Sequence, residues 1–598
     1  MLPTQSISDL KKNLKKDFSA LPKVKLALLA DSPSQLLNQT IRGYAYSLGW
    51  KAEVWEADFN QIERQIMDPQ SELYESNAEF VVLFPSVQNL KKKFYALSKE
   101  EKKSFASYTV SHWQMLIETV QQKMKSLPDR QAGKIILLNY AADDDGVFGS
   151  FASKTQLSFT RQLREVNAGL DKLSCDIKNL FIADVHSLTA EAGKEKSFSA
   201  SAYVNTGFVF HLDFFPRVAY EVCAVIGAIR GQLKKCLILD LDNTVWGGIV
   251  GDDGWENLQL GDLGIGKAYT QLQQWAKQLQ QRGIILCVCS KNDEAIAKEA
   301  FEKHPDMVLK LDDIAVFVAN WENKVDNIRF IQQVLNIGFD SMVFLDDNPF
   351  ERNIVRMGIP ELTVPELPED AAEYLGYLQS LHLFETASLS EEDEARTQQY
   401  QEEAKRTLVQ HTFANEEEYL ASLKMIAEVS SFTKFNIPRV AQLTQRSNQF
   451  NLRTVRYTEE EIAAIASDKN FIGLSFSLSD KYGDYGLISV VILKKENDAL
   501  FIDTWLMSCR VLKRGMEQFV TNQIVEEARR SGVKKILAEF LPTPKNGLVK
   551  NLLPDMGFVL MNDSKVLKQP TEETLREPWE MNVNDFTPHK NFIQLKEK

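Results

Sequence analysis

Short runs of consecutive apolar residues, separated by longer segments with helical patterning, recur along the first part of this chain. In the first block the runs are KLALLA, AEVW, FVVLF, KIILL and LFIA, at residues 25–30, 52–55, 80–84, 134–138 and 180–183. Strands that are apolar on both faces need cover on both faces, and helices that connect parallel strands provide it. The pattern therefore predicts a doubly wound parallel sheet within a domain at residues 1–230.

The same alternation begins again at Lys235 and predicts a second doubly wound domain at residues 231–370. Its predicted strands lie at residues 236–240, 284–289, 307–310, 342–346 and 361–364, with helices at 268–281 and 324–335. In open sheets of this Rossmann-like kind, ligands bind at the carboxyl ends of the strands.

The pattern changes after Pro368. Residues 371–430 are charged and helical, which indicates a linker. Residues 431–598 contain consecutive strands that lead into a helix at 514–531 and a further strand at 535–540, an α+β pattern. The predicted fold class is therefore a multidomain α/β chain with two Rossmann-like parallel-sheet domains followed by an α+β domain.

Composition excludes several classes of function. The net charge of −13 argues against a protein that binds nucleic acid by neutralising phosphates. The six cysteines match no zinc or disulfide pattern, which favours a reducing compartment. The first residues have no apolar core typical of a signal peptide, and no run of eighteen apolar residues occurs. We therefore expect a cytoplasmic protein without nucleic-acid or membrane partners.

Polar residues stand at the strand ends and helix start of the second block. They are Asp240, Asp242 and Thr244 after its first strand, Ser290 after the next, Lys324 at a helix start, and Asp346 and Asp347 after a later strand. Because the carboxyl ends of parallel strands share one edge, these side chains should meet. A carboxylate that attacks a phosphoryl group needs a divalent cation and a lysine to offset the charge repulsion. Oxygen ligands suit Mg²⁺, so the set predicts phosphoryl transfer through an aspartyl phosphate.

In order and in residue type, these motifs resemble the phosphatases of the haloacid-dehalogenase (HAD) superfamily. The resemblance implies that Asp240 is the nucleophile and Asp242 the general acid/base, whose backbone carbonyl also binds Mg²⁺. It further implies phosphate binding by Thr244, Ser290 and Lys324, and metal binding by Asp240, Asp242, Asp346 and Asp347. The short gaps between motifs leave room only for a small flap near Trp246. Such an open site either takes a large substrate or is covered by a neighbouring domain, and we expect the third block to cover it.

A basic loop opens the helix of the third block, in WLMSCRVLKRGMEQF. Free N–H groups at a helix start and basic side chains suit a phosphate group. The loop resembles the [QR]-x-x-G-x-[GA] phosphate loop of GNAT acyltransferases, although Lys513 replaces the first glycine; the alternative is an ordinary helix start. The residues that we predict to bind the acyl group or pantetheine are Arg510, Arg514, Gly515, Asn448 and Asp484.

Cys509 precedes this basic loop. Positive neighbours such as Arg510 and Arg514 favour the thiolate, which could capture an acyl group from an acyl phosphate. We therefore predict a catalytic role for Cys509; the alternative is a small buried core residue.

The strings NQFN, DYGLI, SCRVL and WGGIVGDDG together resemble the FkbH-like family, in which a HAD subfamily IIIC phosphatase domain is joined to a GNAT-like domain. Its members are associated with glyceryl transfer from 1,3-bisphosphoglycerate to an acyl carrier protein, with loss of phosphate. The resemblance implies a Mg²⁺-dependent phosphatase coupled to acyl transfer, with a carrier protein as partner. The alternatives are a stand-alone phosphatase whose GNAT-like domain is structural, and a non-catalytic carrier-protein scaffold.

The first block carries a weaker motif. LLADSPSQ, which contains Ser32, resembles the serine motif of SGNH hydrolases. The Asp184-Val-His186 pair is one residue shorter than the DxxH motif of those enzymes. We therefore expect an SGNH-like domain that is not catalytic.

Overall fold

A computed structural model describes residues 5–126, 133–387, 416–481, 483–508, 511–543, 545–561 and 577–596. The chain divides into two compact units, Met1–Gly227 and Ala228–Lys598. Each is treated by itself below.

The first unit is built on a five-stranded parallel sheet with the order β2-β1-β3-β4-β5. Its strands are β1 Lys23–Ala30, β2 Lys51–Glu56, β3 Phe80–Phe84, β4 Lys134–Leu138 and β5 Leu180–Ala183. Strands β3 and β4 are buried at every position, as continuous apolar runs require. The predicted doubly wound sheet is confirmed.

Helices connect and cover these strands. They are α1 Ile7–Asn13, α2 Gln35–Ser47, α3 Ile62–Met67, α4 Glu72–Glu75, α5 Val87–Tyr95, α6 Lys99–Lys103, α7 Phe105–Ser126, α8 Phe159–Asp176, α9 Val185–Ala192, α10 Lys194–Ser197, α11 Ala200–Thr206 and α12 Phe215–Ile229. Serine side chains cap several helix starts; the Ser158 hydroxyl, for example, accepts a hydrogen bond from the N–H of Arg161 at the start of α8.

The second unit begins with a four-stranded parallel sheet with the order β8-β7-β6-β9. Its strands are β6 Cys236–Leu239, β7 Ile285–Ser290, β8 Ile314–Ala319 and β9 Met342–Leu345. Its helices are α13 Val250–Asp253, α14 Gly266–Gln281, α15 Glu294–Lys303, α16 Lys324–Leu335, α17 Pro349–Gly358 and α18 Tyr374–Ser380. The chain runs from β6 outward to β8 and then returns to the other side of β6. The point where the strand order reverses therefore lies between β6 and β9.

Two predicted strands of this domain are wrong. Met307–Lys310 is not a strand, because Gln273 on α14 accepts hydrogen bonds from the N–H groups of Val308 and Leu309. The third strand is the apolar run Ile314–Ala319 instead. Of the predicted strand at 361–364, only Thr363 forms a bridge, with Val343.

The rest of the second unit is an α+β domain with an eight-stranded sheet, in the order β15-β16-β14-β13-β12-β11-β10-β17. Its strands are β10 Met425–Ser430, β11 Phe471–Asp480, β12 Gly483–Glu496, β13 Ala499–Met507, β14 Lys535–Phe540, β15 Val559–Leu560, β16 Glu577–Asn582 and β17 Ile593–Leu595. Its helices are α19 Glu416–Leu423, α20 Ile437–Arg446, α21 Glu459–Ser467, α22 Met516–Arg530 and α23 Leu552–Asp555. Strands β10 to β13 are antiparallel, and α22 carries the chain to β14, which pairs with β13 in parallel. The predicted α+β fold class of this domain is confirmed.

The NQFN string identified in the sequence fills a gap in this sheet. Strands β13 and β14 pair only as far as Ile502 and Ala538. Beyond that point the segment 450–452 lies between them: the N–H of Leu452 donates to Trp505, and its carbonyl accepts from the N–H of Leu541. The extra segment satisfies backbone groups that the diverging strands would otherwise leave unpaired.

The predicted linker, residues 371–430, contains folded parts at both ends. Tyr374, on α18, belongs to the core of the four-stranded domain, and β10 pairs with β11 of the last sheet. Residues 388–415 lie outside the described part of the chain. We therefore propose that the linker is shorter than predicted and that the C-terminal domain includes β10. Of the helices in the described ranges, none is long and apolar enough to span a lipid bilayer.

The C-terminal domain contacts the amino edge of the four-stranded sheet. Lys235, directly before β6, donates to the carbonyl of Arg446 at 2.7 Å, and Asp340, just before β9, forms an ion pair with Lys545. Gly231 has a φ of 76°, and a Cβ at that position would lie 1.9 Å from the carbonyl oxygen of Gln445. These contacts lie at the edge opposite the strand ends that carry the carboxylates. The expectation that the third block covers those carboxylates is therefore wrong for the described residues.

Candidate active site

Two carboxylates stand at the point where the strand order of the four-stranded sheet reverses. Asp240 follows β6 and Asp346 follows β9, and these two strands are neighbours. The side chain of Asp346 is fully buried, and Asp240 is 6 % exposed. Burying a charge is costly unless an opposite charge compensates it, so both carboxylates require partners.

Lys324, the first residue of α16, is that partner. Its Nζ lies 3.0 Å from Oδ2 of Asp240 and 2.6 Å from Oδ2 of Asp346. Burial opposes the charge on Lys324, but the two carboxylates outweigh it and raise the pKa of the lysine. Burial also raises the pKa of Asp240, an effect that Lys324 reduces and Asp346 increases. With both carboxylates ionised, Asp240, Asp346 and Lys324 together carry a net charge of −1.

A third carboxylate completes a cluster that fits a divalent cation. Asp240, Asp346 and Asp347 each present an oxygen, and these oxygens lie within 4.8 Å of one another. Carboxylate oxygens are the donors that Mg²⁺ prefers. Burial raises the pKa of Asp347, and the charge of Asp240 raises it further. The uncompensated negative charge and the donor set therefore both fit Mg²⁺.

The side chain of Asp242 points to a different set of partners. Its Oδ1 accepts hydrogen bonds from Nε1 of Trp246, at 2.9 Å, and from the N–H of Val250, at 3.1 Å. Its Oδ2 accepts from Nδ2 of Asn292, at 2.9 Å. The carboxylate is not part of the metal cluster, which leaves its backbone carbonyl as the group that could bind the ion. Three donors fix its orientation, and two of them belong to the flap.

The two predicted phosphate-binding hydroxyls are both buried at this edge. Ser290, which ends β7, is hydrogen-bonded to Asp240 and also accepts from Nδ2 of Asn292, at 3.2 Å. Thr244 accepts a hydrogen bond from the N–H of Asp347, at 3.0 Å. The hydroxyl of Thr244 therefore also holds the loop that carries the third carboxylate.

The sequence analysis missed two residues that support the site. Asn292 bridges Asp242 and Ser290. Arg352, 4 % exposed, donates from Nη1 to the carbonyls of Asp346 and Asp347, at 2.8 and 2.7 Å. Both residues lie inside the strings that carried the motifs, SKND and DDNPFER, so their polar side chains beside the motif residues were the available signal.

In the predicted phosphate loop of the C-terminal domain, the backbone has a positive φ at both positions where the GNAT pattern has a small residue. Lys513, which stands where the GNAT pattern has its first glycine, has a φ of 61°, and Gly515 at the start of α22 has a φ of 78°. Arg514 is buried and donates from Nη1 to the hydroxyl of Tyr485, which in turn donates to Asp480 at 2.7 Å. The loop thus has the left-handed conformations that the pattern requires, and Arg514 is held inside the domain.

The other predicted acyl-binding residues lie in different surroundings. Asp484 is exposed and accepts from the N–H of Gly486, an ordinary turn contact. Nδ2 of Asn448 donates to the carbonyl of Gly231, at 3.1 Å, which places Asn448 at the contact between the two domains. Cys509 and Arg510 lie outside the described residues, and their roles stay predictions.

The serine and histidine of the N-terminal unit have separate environments. Ser32 is buried, and its hydroxyl has no hydrogen-bond partner among the described residues. Nδ1 of His186 lies 3.2 Å from Nδ2 of Asn167, and Asp184 caps α9 by accepting from the N–H of Ser187. The absence of catalysis in this domain stays a prediction.

Comparison with known proteins identifies the family of this chain and a relative with a magnesium-bound phosphatase domain. Residues 25–227 match the family model of the FkbH N-terminal domain. The chain is 50 % identical to the N-terminal part of the protein BF1531 from Bacteroides fragilis, a crystal structure that contains a phosphatase domain complexed with Mg. That match covers 64 % of this chain and 100 % of the other, with a TM-score of 0.61. No curated protein matches.

Two acetyltransferases match the chain more weakly. The ribosomal-protein-S18-alanine N-acetyltransferase from Escherichia coli is 14 % identical, with a TM-score of 0.20, and the match covers 26 % of this chain and 94 % of that one. An N-acetyltransferase from Staphylococcus aureus Mu50 is also 14 % identical, with a TM-score of 0.21, over 27 % and 99 % of the two chains. The C-terminal fold is defined by its own strand order, given above. The identity and full coverage of the Bacteroides relative, by contrast, establish that this chain belongs to the FkbH-like family.

Proposed function

We propose that the chain is a Mg²⁺-dependent phosphatase coupled to acyl transfer. In this proposal it removes phosphate from a three-carbon acyl donor resembling 1,3-bisphosphoglycerate and loads the glyceryl group onto an acyl carrier protein. The observation that carries the phosphatase part is the buried trio of Asp240, Lys324 and Asp346, with Asp347 close enough to share a metal ion. The Mg²⁺ in the Bacteroides relative supports the choice of cofactor.

In the phosphatase step, an oxygen of Asp240 attacks the phosphorus atom and the bond from phosphorus to the alcohol oxygen breaks. Lys324 and Ser290 stabilise charge on the phosphoryl oxygens, and Asp242 gives a proton to the leaving alcohol. Asp242 then takes a proton from the water that hydrolyses the aspartyl phosphate. Asp240, Asp346, Asp347 and the carbonyl of Asp242 would hold Mg²⁺, which would supply positive charge to offset the charge of the phosphate.

In the acyl-transfer step, a thiolate attacks the carbonyl carbon of the acyl phosphate. The C–S bond forms, the bond from that carbon to the phosphate oxygen breaks, and phosphate leaves. We propose that Cys509 is this thiol, and that the acyl group then passes by thioester exchange to the carrier thiol, which returns a proton to Cys509.

The carboxyl edge of the phosphatase-like domain has features of a docking surface for a protein partner. Large apolar side chains on the segments that follow its strands are exposed: Leu263 by 86 % and Trp321 by 76 % on loops, and Phe350 by 66 % in the first turn of α17. Exposed aromatic residues that cluster around a site are typical of protein interfaces. They support a protein-bound substrate at this edge.

One observation favours a second candidate, a stand-alone phosphatase with a structural C-terminal domain. The contacts of that domain lie at the amino edge of the sheet, away from the carboxylates. An acyl group would therefore have to move between the carboxyl edge of the sheet and the C-terminal domain.

Intact mass spectrometry distinguishes the two candidates. The full chain is incubated with Mg²⁺, 1,3-bisphosphoglycerate and carrier protein bearing phosphopantetheine, and the carrier mass and released phosphate are recorded. A glyceryl adduct on the carrier supports transfer, whereas phosphate release without an adduct supports the stand-alone phosphatase. If neither an adduct nor released phosphate is detected, the scaffold alternative remains.

Two variants separate the steps. Asp240→Asn should abolish phosphate-ester hydrolysis, and the carrier should then gain an adduct heavier by one phosphate group. Cys509→Ala should abolish the adduct while hydrolysis of a simple phosphate ester continues at the wild-type rate. Normal carrier loading by Cys509→Ala would contradict the proposed thiol, and normal hydrolysis by Asp240→Asn would contradict the proposed nucleophile.

A further inference from the structure

A cavity of about 360 Å³ opens at the carboxyl edge of the five-stranded sheet in the first unit. Asp144, on the segment that follows β4, lines one part of it, and His186, on α9 after β5, lines another. Ligands of open parallel sheets bind outside the carboxyl ends of the strands, and the volume lies in the range of small-molecule sites. The cavity is therefore a candidate ligand site that lies outside the phosphatase-like unit.

The hydrogen bonds of Asn167 fix which nitrogen of His186 carries the proton. Oδ1 of Asn167 accepts from the N–H of Tyr140 at 3.0 Å, and its Nδ2 donates to the carbonyl of Tyr140 at 2.8 Å. The same Nδ2 lies 3.2 Å from Nδ1 of His186. Because Nδ2 can only donate, Nδ1 is the acceptor, and the neutral ring of His186 carries its proton on Nε2.

This tautomer suits a histidine that binds a ligand. A histidine that acts as a general base has an Nε2 without a proton, an arrangement that a carboxylate secures by accepting from Nδ1–H. Here Asp184 accepts instead from the N–H and the hydroxyl of Ser187, at 3.0 and 2.6 Å. Within the described residues, nothing forms a hydrogen bond with Nε2 of His186. Its N–H can therefore bind an acceptor in the cavity.

The charged side chains on the cavity wall are two anions and two cations, namely Asp143, Asp144, Arg164 and Lys194. Asp143 is nearly buried between two lysines: Nζ of Lys194 lies 2.9 Å from its carboxylate, and Nζ of Lys91, on α5, lies 2.6 Å from it. Burial alone would raise the pKa of Asp143, but the two lysines lower it overall. Lys194 and Asp143 thus satisfy each other, which leaves Asp144 and Arg164 for a ligand.

Asp144 and Arg164 carry opposite charges but are not bonded to each other. Both hydrogen bonds that the side chain of Asp144 accepts, from the N–H of Gly146 at 2.9 Å and the hydroxyl of Thr160 at 3.0 Å, end on Oδ1. These bonds lower the pKa of Asp144, and the charge of Arg164 lowers it further. In the part of the chain that the structure describes, Arg164 forms no ion pair. Oδ2 of Asp144 and the guanidinium of Arg164 therefore suit a ligand with one charge of each sign.

We propose that this cavity binds a small zwitterion of the α-amino-acid type. The carboxylate of the ligand accepts from Nε2 of His186 and from the guanidinium of Arg164, and its ammonium group donates to Oδ2 of Asp144. The charges on the lining sum to zero when His186 is neutral, so a zwitterion fits better than an ion of either sign. Apolar side chains on the wall can contact the organic part of the ligand: Ala142, Leu163 and Ala190. The proposal is independent of the function proposed above, because all of these residues belong to the first unit.

The probes separate the zwitterion from its two charged parts. The common L-amino acids are titrated into the full-length protein by isothermal titration calorimetry. Each one that binds is compared with the acid that lacks the amino group and with the amine that lacks the carboxyl group; for alanine these are propionate and ethylamine. At least one amino acid should bind at least about tenfold more tightly than both of its parts.

A matched pair of arginine variants on α8 locates the binding. Arg164→Gln should weaken binding of the amino acid at least about tenfold, because it removes the charge that faces the carboxylate. Arg161→Gln lies one turn earlier on the same helix, where Arg161 is paired with Glu165 and does not line the cavity. It should change the affinity less than about twofold.

Two further substitutions test the contacts one at a time. Asp144→Asn keeps an oxygen for Gly146 and Thr160 and removes the negative charge. It should weaken the amino acid at least about tenfold and should not weaken the acid that lacks the amino group. His186→Gln, which keeps an N–H donor, should retain more affinity than His186→Leu.

The proposal fails if no amino acid saturates a site, or if the acid or the amine alone binds as tightly as the amino acid. It also fails if Arg164→Gln and Arg161→Gln bind the amino acid equally well. Equal weakening of the amino acid and of its acid by Asp144→Asn would contradict the assigned contact with the ammonium group.

Discussion

Replacing Lys324 by methionine should destabilise the phosphatase-like domain in a way that depends on pH and metal. The substitution keeps an unbranched side chain of similar length and removes the positive charge that touches both Asp240 and Asp346. Removing one partner of a buried ion pair costs about 3–5 kcal/mol. For a domain of about 150 residues, each kcal/mol lowers the melting temperature by about 2–4 °C, so the expected decrease is about 6–20 °C.

The pH dependence follows from the pKa of the two carboxyls. Burial raises both values, so between the ordinary value of about 3.9 and the raised one the folded state holds protons that the unfolded state has released. The free energy of unfolding therefore decreases as pH rises through that interval. Without Lys324 the interval extends to higher pH. The defect of Lys324→Met should thus be largest near pH 7–8 and should shrink as pH falls toward about 4.

Thermal unfolding of the full chain in EDTA and in Mg²⁺, at several pH values, measures both effects. A metal ion that binds only the folded state adds about 2.7 kcal/mol at 100 times its dissociation constant, and it should restore part of the stability. A melting temperature equal to that of wild type at pH 7 in EDTA would refute the reasoning, because the two buried carboxylates would then not need the lysine.

Three further predictions concern the flap, the domain contact and a buried lysine. Trp246→Phe removes a donor to Asp242 and should lower kcat about 10- to 100-fold, whereas Trp275→Phe, away from the site, should not; steady-state hydrolysis of a simple phosphate ester compares them. Gly231→Ala places a Cβ against a carbonyl oxygen of the C-terminal domain and should cost at least about 2 kcal/mol, seen as earlier thermal unfolding; unchanged stability would contradict the close contact. The pKa of Lys234 is lowered to about 8 by burial, so the folded state releases this proton first and the free energy of unfolding should rise with pH from about 8 to the unfolded value near 10.4. Denaturant titrations of wild type and Lys234→Met should show a rise that is smaller in the variant.

The sheets were predictable because continuous apolar runs have few alternatives to a buried parallel strand. Residues 80–84, 134–138 and 180–183 form strands with the predicted bounds. The wrong prediction at Met307–Lys310 has a cause that residue propensities do not include. The side chain of Gln273, thirty-four residues before Met307, accepts hydrogen bonds from N–H groups that a neighbouring strand would otherwise have bound. A long-range contact of a single side chain thus decided between strand and loop.

The sequence predicted which residues meet in the candidate site. It did not predict the hydrogen bonds that hold their side chains in place. Parallel strands put Asp240 and Asp346 at one edge, and a helix start put Lys324 beside them. The hydrogen bonds from Trp246 and Asn292 to Asp242 depend on how the flap folds back over the strand ends. Sequence spacing allowed a flap at this position but could not specify which of its atoms face the site.

The position of the C-terminal domain could not be derived from the strands, and it changes how a coupled reaction must work. Carboxylates follow β6 and β9 at the carboxyl edge of the sheet, whereas Lys234 and Lys235 precede β6 at the opposite edge. The acidic carboxyl edge requires Lys324 and a divalent cation to accept a phosphorylated ligand. Since both edges belong to the same short strands, neither can move toward the other. If the C-terminal domain carries out the proposed acyl transfer, coupling to hydrolysis would require a ligand that leaves the carboxyl edge and reaches that domain, a movement that a substrate on a flexible carrier arm can make.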